Sequence, residues 1–509
     1  MNSRPGVRNE IYFWITITYN LNMSTKLKYI LLIFICLFTV ILVIIAPNHY
    51  DSGFISLVLI MQFSSLFLFF RIYKAIWGKV NWISPTALFL LSYTIVNFQM
   101  LCYRILKYPI KPSLFVFIWN NDAILTKVAI ISLLGQLGFM IGYLIHSRVK
   151  LKVTTKTDKF LNSSKNNKIL FFPILFSFIF YFLFFFSSHY YKVGKYNFVN
   201  EPAITGYFFF AFNILLSAIL IQRLIFISNF EKKINLFEYI KLFGWPITGL
   251  IIWHMFFSFI VGDRGPIISY GLLFFGLYFF KWSRVKLIPL LVVLIISSYF
   301  FSIIANVRRM NGDMNMFEKI AFVIQDNSKG RRFVDNQSVP FESTVELAMS
   351  TRCFNHVVAN VPSNYNFTFG YFQLKQLFSV IPGGSSAILK LKGSDMRYDG
   401  SSAFITYLIQ GNVRRYGDGT SINADLYLDF GSIGILLGLF LFGVFIRAGE
   451  TALYYGINNK FLGVAILVYF STSIYMGRSS LLFNLKSIVM IFIIIMFNYY
   501  MMRALNKKN

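Results

Sequence analysis

The sequence predicts an all-α, polytopic integral membrane protein, with about twelve transmembrane helices and one large extracytoplasmic loop that contains short helices. Three observations lead to this fold class. The 509 residues are 56% hydrophobic and only 13% charged, with a mean hydropathy of +0.61, whereas a soluble chain carries roughly 25% charged residues. Apolar runs long enough to cross a bilayer as helices recur along the chain. More than half of the 20 Asp and Glu fall in one long polar interval, residues 305–430.

The predicted elements follow in order along the chain. Residues 1–28 are expected to form a polar cytoplasmic tail without the apolar core of a signal peptide. Met23 opens a typical membrane-protein start, so residues 1–22 are interpreted as an extension or as a misassigned start site. Nine transmembrane helices are expected within 29–304, the large loop over 305–430, three further helices within 431–502, and a cytoplasmic tail over 503–509. The predicted spans are residues 29–46, 54–70, 84–102, 124–145, 169–187, 207–227, 241–261, 266–280, 287–304, 431–447, 461–475 and 482–502.

The distribution of Lys and Arg over the short loops predicts the orientation. Of those counted, 24 lie on the side of the N-terminus and 8 on the other side, and cytoplasmic loops carry the excess of positive charge. Both termini are therefore expected in the cytoplasm, in a multi-pass protein of the cytoplasmic (inner) membrane. The 305–430 loop is then extracytoplasmic, where any donor substrate has to arrive already activated, most simply as a lipid-linked pyrophosphate.

Composition and motifs narrow the chemistry. The net charge of +28 is explained by Lys and Arg in the short loops, where they set the orientation of the spans in the membrane. Nucleic acid is therefore not an expected partner. The three Cys offer neither a disulfide framework nor zinc-ligand spacing. Walker A, CxxC, HExxH, GxSxG and Asp-x-Asp patterns are missing from the sequence. We therefore expect no metal and no cofactor.

Arginines at the predicted outer face are the first candidate site residues. Arg264 lies in the tight turn Gly262–Asp263–Arg264–Gly265–Pro266, where it forms either an interfacial ion pair or a phosphate ligand directed into an outward cavity. Arg308 and Arg309 follow the ninth span, and Arg478 lies between the last two. Arg suits phosphate because its planar guanidinium matches phosphate oxygens.

Two further groups of residues combine cations with candidate bases. Arg414 and Arg415 precede a stretch in which Asp425 and Asp429 are four residues apart, and thus on one helix face. A short helix is expected to carry Arg352 and His356, also four apart, and His is the commonest general base. A second short helix, from about Tyr371 to Val380, has an apolar face suited to the membrane interface.

Three stretches carry a family resemblance. They are Gly262–Asp263–Arg264–Gly265 after an aromatic span, the segment from Gly370 to Pro382, and the run from Gly419 through Asp425, Tyr427, Asp429 and Phe430–Gly431 to Gly434. With these, the chain resembles the Wzy-type polymerases of O-antigen or capsular polysaccharide, which join polyprenyl-pyrophosphate-linked oligosaccharide repeat units. Asp425 stands where Glu is more usual in that family, and Asp429 where Asn is frequent.

The resemblance implies glycosyl transfer from a growing lipid-linked chain to the sugar end of a new repeat unit. Asp425, His356 and Arg264 are the implied catalytic residues, with Asp425 or His356 as base. The implied ligands of pyrophosphate and sugar are Arg308, Arg309, Arg352, Arg414, Arg415, Tyr427 and Arg478. A flippase and a chain-length regulator are the implied partners besides membrane lipid.

Other functions remain open from the residues alone. An O-antigen ligase-like transferase would share the outer loop, the arginines and a His. A flippase or exporter of lipid-linked sugar is expected to carry charges throughout its spans and to have short loops on both sides, unlike this sequence. A structural membrane scaffold would leave the basic outer loop without a purpose.

Overall fold

The computed structural model consists of helices, with no β-strand among the residues that it describes. These residues are 23–108, 110, 118–119, 122–145, 171–188, 202–230, 232–261, 263–283, 285, 292, 296–297, 303, 316–325, 341–413 and 415–506. The helices are α1 (Met23–Ile45), α2 (Ser52–Trp77), α3 (Pro85–Ile105), α4 (Leu125–Ile145), α5 (Phe171–Ser187), α6 (Ala203–Ser228), α7 (Leu236–Phe243), α8 (Trp245–Val261), α9 (Arg264–Lys281), α10 (Met316–Gln325), α11 (Val345–Ala348), α12 (Thr351–Asn360), α13 (Tyr371–Phe378), α14 (Gly384–Lys390), α15 (Ser401–Gln410), α16 (Ile422–Tyr455), α17 (Lys460–Thr472) and α18 (Leu485–Asn506).

Seven helical segments in the described part of the chain are long and apolar enough to cross a membrane. They comprise α1, α2, α3, α4 with the 3-10 turn before it, α6, α16, and α17 with the 3-10 helix Ser473–Arg478 after it. Helices α7 and α8 make an eighth if the pair counts as one bent span. The multi-pass membrane fold is therefore confirmed, while the count of twelve spans and the loop layout stay predictions. The span expected over 287–304 lies mostly outside the described residues.

The tightest helix crossing joins α4 to α16, and glycines make it possible. A Cβ added at Gly142 would stand 2.0 Å from the carbonyl oxygen of Phe440, and one at Gly443 would stand 2.1 Å from that of Phe139. Such close backbone approach is how small residues drive helix packing in membranes. The Gly138/Gly142 spacing thus has the packing role that helical geometry suggests.

Helix α16 reverses its direction near its beginning. Phe430 and Gly431 have non-helical backbone angles, with φ at +62° for Gly431. Side chains added at Gly434 and Gly438 would each come within 2.6 Å of Leu426, although positions eight and twelve apart in a straight helix are about 12 and 18 Å apart. Residues 422–429, called α16a, therefore fold back on residues 432–455, called α16b.

The short helices of the 341–410 segment cover one end of the bundle, which we call the loop end. The side chain of Gln99, in the last turns of α3, donates to the Phe341 carbonyl at 3.1 Å and accepts from the Thr344 hydroxyl at 2.8 Å. The amide of Asn355 in α12 donates to the carbonyl of Ile118, shortly before α4. The loop end is thus where α3 ends and where α4 begins.

Two local predictions differ from the structure. The span predicted over 241–261 is broken at Gly244, where φ is +85° and α7 and α8 meet at 98°. Arg447, counted from the sequence as a loop cation, lies inside α16b with only 5% of its surface exposed. Its guanidinium packs over the ring of Trp77 at 4.5 Å. This cation–π contact stabilises Arg447 in the buried position, where hydropathy alone predicts a solvent-exposed loop residue.

Candidate active site

Asp425 is a densely hydrogen-bonded carboxylate at the loop end. It is fully buried in α16a and accepts from the side-chain amides of Gln373 at 2.7 Å and Gln376 at 3.2 Å, both in α13. It also accepts from the backbone N–H of Leu481 at 3.1 Å and from the Ser401 hydroxyl. Asp425 therefore ties α16a to α13, to α15 and to the segment between the last two spans.

Asp429 is also fully buried and caps the start of α13. Its carboxylate accepts from the hydroxyl of Thr368 and from the backbone N–H groups of Phe372 at 3.3 Å and Gln373 at 3.1 Å. The first N–H groups of a helix lack partners within it, and a carboxylate there also interacts favourably with the positive end of the helix dipole. The prediction that both aspartates share one face is correct, because both bind α13.

A buried polar cluster fixes α16a between α3 and α4. The Asn423 amide donates to Asn97 Oδ1 at 3.0 Å and to Ser132 Oγ at 3.3 Å, and its oxygen accepts from the Tyr93 hydroxyl at 2.9 Å. None of these four side chains is more than 2% exposed. Polar groups inside an apolar bundle are costly unless paired, so this set specifies where the folded-back helix sits.

Arg478 ends the 3-10 helix that follows α17. Gly477, just before it, donates its N–H to Ser92 Oγ at 3.2 Å, which fixes this segment against α3. Three residues later, Leu481 binds Asp425. The Arg478 side chain is exposed, and no acidic residue of the described chain forms an ion pair with it. The fold therefore presents a cation on a segment anchored from both sides.

Arg264 is the first residue of α9, after the N-cap Asp263, whose carboxylate accepts from Gly265 N–H at 3.0 Å. Its guanidinium forms an ion pair with Glu346 at 2.8 Å, and both side chains are partly exposed. The charges of Arg264 and Arg478 both act on the Tyr475 hydroxyl, which places these two arginines in the same neighbourhood.

Arg352 in α12 pairs with Asp418 at 2.6 Å, and this pair is mostly buried. Asp418 also accepts from the side-chain amide of Gln410 at 2.5 Å. The charges of Arg352 and Arg478 both act on the Cys353 thiol, although burial is the larger influence and raises its pKa to about 12. Arg478 thus lies within electrostatic range of Tyr475, as Arg264 does, and of Cys353, as Arg352 does.

His356 lies one turn after Arg352 on α12 and is 9% exposed. Burial, together with the Arg352 charge, lowers the pKa of His356 to about 4. Its Nε2 atom is buried without a hydrogen-bond partner. The side chain is therefore a neutral imidazole at pH 7, in which one of the two ring nitrogens carries no proton.

Two other candidate residues lie apart from these contacts. Tyr427 is 3% exposed, with its ring between Phe354 and Phe367, each at 5.8 Å between centroids. That position favours packing over stacking on a sugar. Arg415 is exposed on the surface, where its backbone N–H donates to Gln410 Oε1 at 2.9 Å. Arg308, Arg309 and Arg414 lie outside the described residues and stay predictions.

The sequence reasoning missed the donors that hold the carboxylates. Gln373 and Gln376 are three apart and so share a face of α13, which is a signal that could be matched with the Asp pair of α16a. Nothing local in the sequence matches Asn423 with Asn97 and Ser132, because these partners meet only in the tertiary fold. Among the described residues, no group of three or more His, Cys, Asp or Glu could hold a metal ion.

Comparison with known families gives a match over nearly the whole chain. The family model described as O-antigen polysaccharide polymerase Wzy matches residues 27–509, nearly the entire sequence. No curated protein and no solved structure matches the chain. Since the match covers the spans, the loop-end helices and the segment around Asp425, the chain belongs to the Wzy family of O-antigen polysaccharide polymerases.

Proposed function

We propose that this protein joins polyprenyl-pyrophosphate-linked oligosaccharide repeat units by glycosyl transfer, at the loop end and on the outer side of the cytoplasmic membrane. The observation that carries the proposal is Arg478, an exposed cation without an ion-pair partner in the described chain, with Arg264 and Arg352 in its neighbourhood. Family membership supports a polymerase that acts on lipid-linked repeats.

The arginines suit a leaving pyrophosphate. Negative charge builds on the bridging oxygen as the sugar C1–O bond breaks, and cations already in place stabilise that charge without reorganisation. Arg478 binds the pyrophosphate directly. Arg264 and Arg352 contribute through their charge, since Glu346 and Asp418 hold their guanidinium groups in position.

His356 serves as the general base in this proposal. The acceptor hydroxyl forms the new bond to C1 while its proton passes to Nε2 of the neutral imidazole, and the pyrophosphate departs with the electron pair of the broken bond. Asp425 acts as a positioning residue rather than as the base, because Gln373, Gln376 and Leu481 already occupy its carboxylate. By holding Leu481, it fixes the segment that presents Arg478.

The membrane arrangement is part of the proposal. The excess of Lys and Arg in the loops of one side supports cytoplasmic termini and an extracytoplasmic loop over 305–430. The donor then reaches the site as a lipid-linked sugar, with its polyprenyl tail in the bilayer. A flippase supplies it and a chain-length regulator acts on the product; no cofactor is required.

A reconstituted assay tests the proposal. The purified protein, its Arg478→Ala variant and the control Arg104→Ala are incubated with polyprenyl-pyrophosphate-linked repeat units of the strain, and the products are separated by length. Arg104 suits as control because it is an exposed loop-end arginine in a surface ion pair with Asp122, and such pairs contribute about 0–1 kcal/mol.

We expect two-repeat and longer lipid-linked products from the wild-type protein and from Arg104→Ala. For Arg478→Ala we expect a loss of about 100-fold or more, comparable to removing one donor from an oxyanion hole. Unchanged elongation by Arg478→Ala would contradict the role of this arginine. With lipid A added as an acceptor, transfer of the glycan to it without elongation would favour a ligase, and with vesicle-reconstituted protein, transport of the lipid-linked repeat without product would favour an exporter.

A further inference from the structure

A cluster of tyrosines lies on the loop-end helices beside the proposed active site. Tyr365, Tyr398 and Tyr407 are each partly exposed and surround the buried ring of Phe404. Their centroids are 5.6, 5.1 and 6.4 Å, respectively, from that of Phe404. We call these three tyrosines the tyrosine platform.

The platform is held rigidly by polar contacts at its edge. The hydroxyl groups of Tyr365 and Tyr407 are 3.2 Å apart, and Arg397 donates to the Tyr407 hydroxyl at 3.2 Å. Arg397 is itself held by Asp395 through two nitrogens, at 2.7 and 2.6 Å. Since the side chains are already ordered, a ligand that binds them loses little of its affinity to side-chain ordering.

Mixed charge borders the aromatic surface. Lys392 Nζ lies 5.2 Å from the centre of the Tyr398 ring. Asp399, half exposed, accepts from the buried Lys375 at 2.7 Å. The platform thus offers flat apolar ring faces next to hydroxyl, carboxylate and cationic groups. A sugar ring presents the matching surface, with C–H groups on its faces and hydroxyl groups around its edge.

Helix α15 connects the platform to the proposed active site. Its first residue, Ser401, bonds to Asp425, and its last, Gln410, bonds to Asp418, the partner of Arg352. Phe404 and Tyr407 lie between them on the same helix. At about 1.5 Å per residue, Tyr407 is roughly 9 Å along the helix from Ser401, which is about the length of two sugar rings.

We propose that the tyrosine platform binds sugar rings of the growing oligosaccharide next to the bond being formed, an inference that rests on the proposed polymerase function. The platform holds the chain between successive transfers, so that the same chain is extended again before it leaves. Its contacts do not take part in bond making, and its loss shortens the polymer without preventing the first linkage.

The test compares Tyr407→Ala and Tyr365→Ala with the control Tyr108→Ala. Tyr108 is also a partly exposed loop-end tyrosine, packed on Tyr103 in the connection after α3. The thermal unfolding midpoint of each variant is measured first, and only variants with a midpoint close to that of the wild type are compared. Binding is measured by saturation-transfer NMR with the lipid-free one-repeat and two-repeat oligosaccharides released from the strain's polysaccharide by mild acid. Chain length is measured on the products of the reconstituted assay.

We expect both platform variants to bind the two-repeat oligosaccharide about tenfold more weakly, as for the loss of one aromatic contact. Their products should be shorter, while the two-repeat product should still form. Tyr108→Ala should match the wild type in both. If Tyr407→Ala does not fold, the oligosaccharide affinity and the product length of Tyr365→Ala test the inference alone.

Unchanged affinity and unchanged chain length in the platform variants would overturn the inference and leave these tyrosines a packing role. Loss of the two-repeat product together with the longer ones would also overturn it, because the platform would then be needed for transfer itself. A wild-type protein that binds the oligosaccharide but forms no linkage would instead contradict the proposed function.

Discussion

Helix α16 carries buried carboxylates near both of its ends, and those of Glu450 and Asp425 are stabilised in different ways. At the end away from the loops, Glu450 accepts from Thr86 N–H at 2.9 Å and from the Tyr143 hydroxyl at 2.5 Å. Arg447, one turn earlier, donates to the same hydroxyl at 3.3 Å. At the loop end, Asp425 has amide, hydroxyl and backbone donors, and no cation of the described chain forms an ion pair with it.

The difference separates a structural site from a functional one. The partners of Glu450 come from the transmembrane helices α3 and α4, and a cation lies close by on α16 itself. The donors to Asp425 come from α13, α15 and the segment that carries Arg478, all outside the straight part of the bundle. Changes at Glu450 are therefore expected to reduce stability, and changes at Asp425 to reduce turnover.

The largest effect is expected from Glu450→Ala. Removing the carboxylate leaves the Thr86 N–H and the Tyr143 hydroxyl without their acceptor, and each lost acceptor costs about 1–3 kcal/mol. We expect a strongly lowered yield of folded protein and a lowered thermal unfolding midpoint in detergent, with normal turnover per folded molecule. A variant that folds normally but does not elongate would reverse the assignment of the two sites.

A smaller loss of stability is expected from Gly142→Ala. The new methyl group would stand 2.0 Å from the Phe440 carbonyl and push α4 away from α16b, at a cost of about 1–3 kcal/mol. The control is Gly249→Ala in α8, where a Cβ would have nothing within 4 Å. Thermal unfolding of both variants measures the effect. Equal unfolding midpoints for the two variants would contradict the close packing of α4 against α16b.

Asp425→Asn tests whether Asp425 affects turnover more than it affects stability. The change keeps the shape but turns one acceptor into a donor that faces existing donors, which costs about 1–3 kcal/mol locally. We expect the Arg478 segment to shift, so that kcat/KM falls about tenfold or more while the unfolding midpoint falls less than in Glu450→Ala. A large fall in the midpoint with unchanged kcat/KM would make Asp425 structural, like Glu450.

The smallest expected effect is a pH dependence of stability from His356. Its pKa is about 4 in the folded protein and near 6.5 when unfolded, so between these values the unfolded state binds more protons and stability falls as the pH falls. His356→Gln should remove this slope. The difference in unfolding midpoint between wild type and variant should therefore change between pH 7 and pH 5, and a constant difference would show that His356 does not titrate as described.

The sequence predicts the membrane class and most helices because long apolar runs carry that signal locally. It also places Arg264 at a turn that begins a helix, and the two aspartates of α16a on one face. Hydropathy marks the boundary at 430/431, where the predicted span begins, but it does not show that residues 422–429 form a helix folded back on that span. Only the positive φ of Gly431 and the close contacts of Gly434 with Leu426 reveal this reversal.

Residue roles were harder to predict than positions. Tyr427 and Arg447 have side chains typical of binding surfaces, yet neither exposes more than 5% of its surface. Asp425 was assigned as a candidate base from its residue type, while its four donors come from elements 20 to 60 residues away in sequence. Such partners depend on tertiary packing, which a single sequence does not specify.

Binding of polyprenyl pyrophosphate alone tests the central claim most directly, because it needs neither acceptor nor turnover. Affinity is measured in detergent at low and high salt for the wild type, Arg478→Gln and Arg104→Gln. One charge-assisted hydrogen bond contributes about 1.5–3 kcal/mol, so Arg478→Gln should bind roughly 10- to 100-fold more weakly and with less salt dependence, while Arg104→Gln matches the wild type. Equal affinity of all three proteins would contradict a pyrophosphate site at Arg478.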